Sequence, residues 1–276
     1  MIARHAATRY VQPLREGGSL PAVVDTDGGG LFVVKFRGAG QGAKALIAEL
    51  VVGRLAQAVD LPVPELAIVD LSSAFGRSEP DPEIQDILRG SHGVNVGLRY
   101  LDGAFNFDAG AAAELITSEL ATRLVWFDAL VTNPDRTHRN PNLLVWRRTP
   151  WLIDHGGALY AHHDWAAVDE ARARTAFPLI RDHVLLDRAG DVLGIDAAMA
   201  AALDGDTVAR VLAEVPDELL TDPVGCREFG SAEAARARYR DYLTARLRSP
   251  RDFAAQAARA REERGREPGQ RLSARR

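Results

Sequence analysis

The sequence predicts a mixed α/β (α+β) fold of two lobes: a sheet-rich first third carrying one helix, then a mainly helical remainder. Three observations predict it. Short apolar runs of strand length, bounded by Gly and Pro, crowd the first hundred residues. Longer stretches with helical spacing dominate after residue 109. The 276 residues, 46% hydrophobic and 26% charged, are enough for one large domain or two small ones joined along a cleft.

Residues 22–25 (AVVD) read as a strand, 27–30 (DGGG) as a hairpin turn and 31–36 (LFVVKF) as the returning strand. Residues 38–42 (GAGQG) are a flexible connection. A helix follows over 43–59, with Leu46, Leu50 and Leu55 at apolar spacing, and the prolines of Leu61-Pro62-Val63-Pro64 end it. Residues 65–71 (ELAIVDL) and 94–100 (VNVGLRY) are further strands, and the Ser-, Pro- and Gly-rich residues 72–93 read as a long loop. A long helix over 109–132 runs into Asn133-Pro134-Asp135, which stops it. Residues 143–146 and 151–153 are two short strands, after which helices and loops alternate to about residue 248. Residues 246–276 carry ten Arg against four acids and read as a basic tail, helical in part and poorly ordered at the end, a solvated end rather than a nucleic-acid patch. The expected units are a first lobe over 1–100, a helical lobe over 101–250 and the tail over 251–276.

Composition narrows the function classes. The single cysteine, Cys226, excludes an internal disulfide and a Cys-rich zinc site. No apolar run is long enough for a membrane span, and the first residues lack the apolar core of a signal peptide. The expectation is a soluble, cytoplasmic protein with a net charge of −4. Of 34 basic residues only Lys35 and Lys44 are lysines, so a surviving Lys hints that a compact ammonium is required.

Four motifs carry chemistry. Glu16-Gly17-Gly18-Ser19 precedes the first of these strands, where glycines let backbone N–H groups approach an anion. Lys35 interrupts the apolar run LFVVKF and needs an anionic partner if buried; Glu49 on the following helix is the candidate. A strand Lys paired with a helix Glu is how kinases hold ATP phosphates. Asp135 lies in Asn133-Pro134-Asp135-Arg136-Thr137-His138-Arg139-Asn140-Pro141-Asn142, between a helix and an apolar strand. An Asp there can orient a hydroxyl, and an Asn shortly after can bind a metal through its amide oxygen. Leu152-Ile153-Asp154-His155-Gly156-Gly157 has the shape of a metal-binding Asp at a strand end, whose hard oxygens suit Mg²⁺.

In this order the motifs resemble those of the HipA-like kinases, bacterial enzymes that share catalytic features with phosphatidylinositol kinases. The resemblance rests on EGGS, VVKF, the helix leading into LPVPE, NPDRTHRNPNLLV and LIDHGG, and it spans roughly residues 10–190. It implies a two-lobe protein-kinase-like fold, with an antiparallel N-lobe sheet plus helix and a helical C-lobe. It implies ATP and Mg²⁺ in the cleft, and transfer of the γ-phosphoryl group to a hydroxyl, most readily Ser or Thr of a protein partner. Gly17, Gly18 and Ser19 would form the phosphate loop, with Ser19 where a family relative carries an autophosphorylated serine. Lys35 would bind phosphates and Glu49 would hold it. Asp135 would be the catalytic aspartate and Asp154 a Mg²⁺ ligand. Residues 98–102 would be the hinge, with Arg99 and Leu101 meeting adenine through the backbone and Asp102 reaching the ribose. The second metal ligand is open: five residues after Asp135 gives Asn140, whereas the register directly before the strand gives Asn142, which is favoured. A small-molecule or lipid acceptor, and a non-catalytic nucleotide-binding module, are the rival readings.

Overall fold

The computed structural model describes residues 1–14, 20–40, 42–77, 79–108, 110 and 112–266. Gly17, Gly18 and Ser19 lie outside the described residues. The elements of the first lobe run β1 (Ala3–Pro13), β2 (Ala22–Thr26), β3 (Gly30–Lys35), α1 (Gly42–Ala58), β4 (Leu66–Leu71), α2 (Pro82–Gly90) and β5 (Gly93–Arg99). Then come β6 (Phe105–Asn106), α3 (Ser118–Leu130), β7 (Leu143–Trp146) and β8 (Thr149–Leu152). The remainder is α4 (Glu170–Ala173), α5 (Asp196–Ala202), α6 (Gly205–Ala213), α7 (Asp217–Leu220), α8 (Ala232–Leu247) and α9 (Asp252–Arg266), interspersed with 3-10 turns. The mixed α/β class is as expected.

The first-lobe sheet corrects one expectation. It is not an open antiparallel sheet but a closed barrel in the order β1-β2-β3-β5-β4. Three seams and the β4–β5 pairing are antiparallel, and β1 closes the barrel by pairing in parallel with β4, from Ala3 opposite Ala67 to Ala6 opposite Asp70. Two register shifts in β1, between Ala7 and Arg9 and between Tyr10 and Gln12, bend the ribbon far enough to close.

Strand alternation then decides what faces what. Val24, Phe32, Val34, Ala67 and Val69 fill the barrel interior together with Ile84 and Leu88 of α2. Ile68, Val96 and Leu98 point the other way and pack under α1, among Leu46, Ile47, Leu50 and Leu55. Lys35 follows Val34 and opposite Val96, so it emerges on the α1 side.

Residues 72–93 hold a helix where a loop was expected. Asp81 caps α2 by accepting from the Glu83 N–H (3.0 Å), and Pro82 occupies the first helical position. The long second-lobe helix is shorter than its apolar run: Thr117 caps α3 by accepting from the Leu120 N–H (3.1 Å). The basic residues after 251 are not a solvated end as far as Arg266. Phe253, Ala254, Ala257 and Ala260 of α9 are buried, and Phe253 meets Trp126 of α3 edge to face at 5.3 Å.

Candidate active site

Lys35 ends β3 with its side chain beneath α1. Its ammonium sits 2.7 Å from Glu49 Oε2 and 2.5 Å from Asp154 Oδ1. Glu49 is wholly buried, so an unpaired charge there would be prohibitive. Burial works against its carboxylate, but Lys35 and His155 outweigh it and hold the group well below the usual carboxylate range. Burial likewise opposes the Lys35 ammonium, and the two carboxylates reverse that and raise its pKa. His155 donates to Glu49 Oε2 through its backbone N–H (2.8 Å), and its Nδ1 faces Oε1 at 3.4 Å. The residue after Asp154 thus locks the carboxylate that holds Lys35.

Asp154 leaves β8 with φ 55°, and Asn142 enters β7 with φ 47°. Both are left-handed, a conformation that Asn and Asp tolerate better than most residues but that still costs about 1–3 kcal/mol each. The surroundings enforce it: the Asn142 carbonyl accepts from Ile153 N–H (3.1 Å) and from Arg136 Nη1. Asn142 is buried, and its Nδ2 has no hydrogen-bond partner among the described residues. The Asp154 side chain is 43% exposed. Asn140 stands apart on an exposed turn, where its carbonyl accepts from Thr137 N–H (2.9 Å) and its N–H donates to Thr137 Oγ1 (3.3 Å). Among the described residues no three His, Cys, Asp or Glu side chains form a metal-binding group. One carboxylate and one amide are still a fitting donor set for a hard cation that takes its remaining ligands from water and phosphate.

Asp135 is exposed, and Asn133 Oδ1 accepts from its backbone N–H (3.1 Å). Burial first, and the charge of Asp154 second, push its carboxyl above the usual range. Two glycines tie it to the lysine. A Cβ on Gly156 would lie 3.4 Å from Lys35 Nζ, and one on Gly157 would lie 2.1 Å from Asp135 Oδ2. Lys35, Glu49, Asp135 and Asp154, with the Asn142 backbone, therefore converge on the segment 153–157.

The expected hinge divides. The Arg99 guanidinium is turned away, paired with Glu65 Oε2 (2.8 Å) and stacked 4.3 Å over Phe32. Its side chain is thus unavailable to a cleft ligand. The Leu101 carbonyl accepts from Ala104 N–H (3.0 Å). Asp102 is exposed, and its carbonyl accepts from Trp146 Nε1 (2.8 Å), which anchors the segment to β7. Sequence reasoning did not single out His155 as the lock on Glu49, nor Leu144 and Ile153, partly exposed on one face of the β7–β8 hairpin. Strand alternation alone could have found the latter two. A separate groove of about 500 Å³ between α4 and α8 contains none of these residues.

Comparison with known proteins agrees with the geometry. The family model described as HipA-like kinase matches residues 8–222. The crystal structure of the Helicobacter pylori proinflammatory kinase CtkA is similar in fold. It is 15% identical, with a TM-score of 0.54 over 89% of this chain and 95% of that one. No curated protein sequence matches. With the family model covering most of its length, and the Lys35–Glu49–Asp154 cluster in place, the chain belongs to the HipA-like kinases.

Proposed function

We propose that the protein is an ATP- and Mg²⁺-dependent kinase that transfers the γ-phosphoryl group to a Ser or Thr hydroxyl of a protein. The observation that carries this reading is the Lys35 ammonium shared between buried Glu49 and half-exposed Asp154. A cation held by one fixed and one accessible carboxylate can keep the first and exchange the second for phosphate oxygens. Glu49 then keeps Lys35 aimed into the cleft. Asp154, released, and the Asn142 amide would hold Mg²⁺; Asn140, on its outward turn, is not a ligand. Bound Mg²⁺ would supply charge neutralisation on the phosphates. Asp135 accepts the proton of the incoming hydroxyl as its oxygen bonds to phosphorus and the bond to the ADP oxygen breaks. The hairpin residues Leu144 and Ile153, with the segment that Trp146 anchors, form the walls against which adenine packs. The first lobe, residues 1–100, and the second, 101–250 extended by α9, are the two sides of that cleft.

A thermal-shift titration with ATP, with and without Mg²⁺, on wild type and Asp154→Ala tests the reading. Ligand at about 100 times its Kd stabilises by roughly 2.7 kcal/mol. The expected result is a Mg²⁺-dependent shift that Asp154→Ala abolishes, together with labelled phosphate transferred to a protein substrate. No shift in the wild type at millimolar ATP would overturn it. Transfer to lipid or small-molecule hydroxyls alone would overturn the acceptor class.

A further inference from the structure

Beneath the loop that carries Asp135, residues 133–142, lies a second buried charge cluster. Asp128 belongs to α3 and is wholly buried amid Val125, Phe127 and Ala129. A carboxylate in such surroundings survives only if its lone pairs are used. They are: Oδ1 accepts from Asn133 Nδ2 (3.0 Å), and Oδ2 accepts from Arg136 Nε (2.7 Å) and His183 Nε2 (2.9 Å). His183 Nδ1 accepts from Leu185 N–H (3.0 Å), which leaves the ring proton on Nε2, facing Asp128.

Each partner holds a different piece of the site. Asn133 Oδ1 fixes the backbone of Asp135 (3.1 Å). Arg136 Nη1 fixes the carbonyl of Asn142, which also accepts from Ile153 N–H next to Asp154. His183 sits opposite Thr137 in a β-bridge, and Val184 N–H donates to the Arg136 carbonyl (3.1 Å). The two functional carboxylates and the amide are thus referenced to one carboxylate, each through a short chain of bonds. A stable fold does not require such a cluster. Well-packed apolar residues in place of a buried ion pair are often as stable or more so, and among the described residues Arg136 Nη2 is buried without a partner.

We propose that Asp128 and His183 are positioning residues for phosphoryl transfer, setting Asp135 and Asn142 against each other through Asn133 and Arg136. The inference rests on the kinase reading above. His183→Asn and His183→Gln test it. The longer Gln keeps an N–H donor toward Asp128, whereas Asn keeps only an acceptor for Leu185. Steady-state kinetics on the folded fraction, quantified by circular dichroism, should show kcat down about 10- to 100-fold for His183→Asn, with KM for ATP within about threefold. His183→Gln should recover most of kcat. Arg136→Lys keeps a cation for Asp128 but loses the fork to Asn142. It should raise the Mg²⁺ concentration needed for half-maximal rate, and it carries the test if His183→Asn does not fold. Active wild type with wild-type kcat and Mg²⁺ dependence in the folded variants would overturn the positioning role alone. Wild type without any phosphoryl transfer would overturn the kinase reading and this inference with it.

Discussion

Gly157→Ala separates the Asp135 carboxylate, the proposed proton acceptor, from the fold. The added Cβ would fall 2.1 Å from Asp135 Oδ2 and 2.8 Å from its Cγ. Carbon and oxygen that are not bonded rest about 3.3 Å apart or more, so the carboxylate must move by about 1.2 Å. Asp135 is exposed and can swing aside without breaking a buried contact. The stability change should then stay within about 0.5 kcal/mol, a Tm shift of about 2 °C or less. Catalysis has no such freedom: a displacement of about 1 Å at a reacting group costs about 100-fold, which is about 2.7 kcal/mol of barrier. Gly156→Ala is the internal control. Its Cβ meets nothing closer than 3.4 Å, so kcat should stay within about fivefold. The assay is initial-rate phosphoryl transfer at saturating ATP, with ATP binding and Tm measured on the same preparations. Gly157→Ala with kcat within about threefold of wild type, or with a collapsed Tm, would refute the reasoning. The first outcome would mean that the placement of Asp135 does not set the rate, the second that Gly157 serves packing.

Three further outcomes follow from the same contacts. Phe253→Ala removes a ring packed on Trp126 and under the Arg246 guanidinium. It should cost about 3–5 kcal/mol in urea unfolding, and a loss under about 1 kcal/mol would show that α9 is not part of the core. Glu49 and Asp128 are held well below their unfolded-state values by Lys35 and by Arg136 with His183. Their contribution is present above the unfolded carboxylate range, at about pH 4, and is lost progressively as pH falls from there through the lower folded-state values. Burial holds His162 and His183 below the ordinary histidine range, so urea midpoints should already decline as pH falls from about 7 to 5 and the unfolded chain takes up those protons. They should fall further below about pH 4.5, that acid limb being less steep in Glu49→Gln; a level curve to pH 3 would contradict this. Burial, with Glu228 nearby, pushes the Cys226 thiol up to about 12. A thiol reagent at pH 8 should therefore leave the native protein unmodified and label the urea-unfolded chain, and rapid native labelling would count against the buried placement.

How far the sequence could be read depended on whether a feature is local. Lys35 was legible because an ammonium in an apolar strand demands a carboxylate, and α1 offers one at the right height. Asp154 was legible from a strand followed by Asp-x-Gly. The short β7 strand is where its apolar run put it. The closure of the barrel was not legible, because the parallel β1–β4 seam joins residues more than sixty apart and leaves no local mark. The helix at 82–90 was legible in principle: Asp81-Pro82-Glu83 is a cap and a first turn, but the surrounding Ser and Gly residues concealed it. Asn140 and Asn142 could not be separated by counting. What distinguishes them is that Pro141 lies between an exposed turn and a buried strand entry, and burial is a property of the whole fold. Asp128 escaped notice because a single acid in an apolar helix looks like a surface residue until His183 arrives from fifty-five residues away.

Arg264 of α9 donates to His138 Nε2, in the loop that carries Asp135 (3.0 Å), and pairs with Asp187 (3.0 Å). Synthesis runs from the N-terminus, so Lys35, Asp135 and Asp154 exist as side chains long before the helix that braces their loop from behind. At about 5–20 residues per second, the stretch from Gly157 to α9 takes roughly 5–20 s to make. Through that interval a nascent chain carries the side chains of the proposed site without the α9 contact to their loop, and Trp126 lacks its Phe253 partner. Possession of the proposed chemistry and bracing of its loop are thereby separated in time, and α9 is the element that joins them.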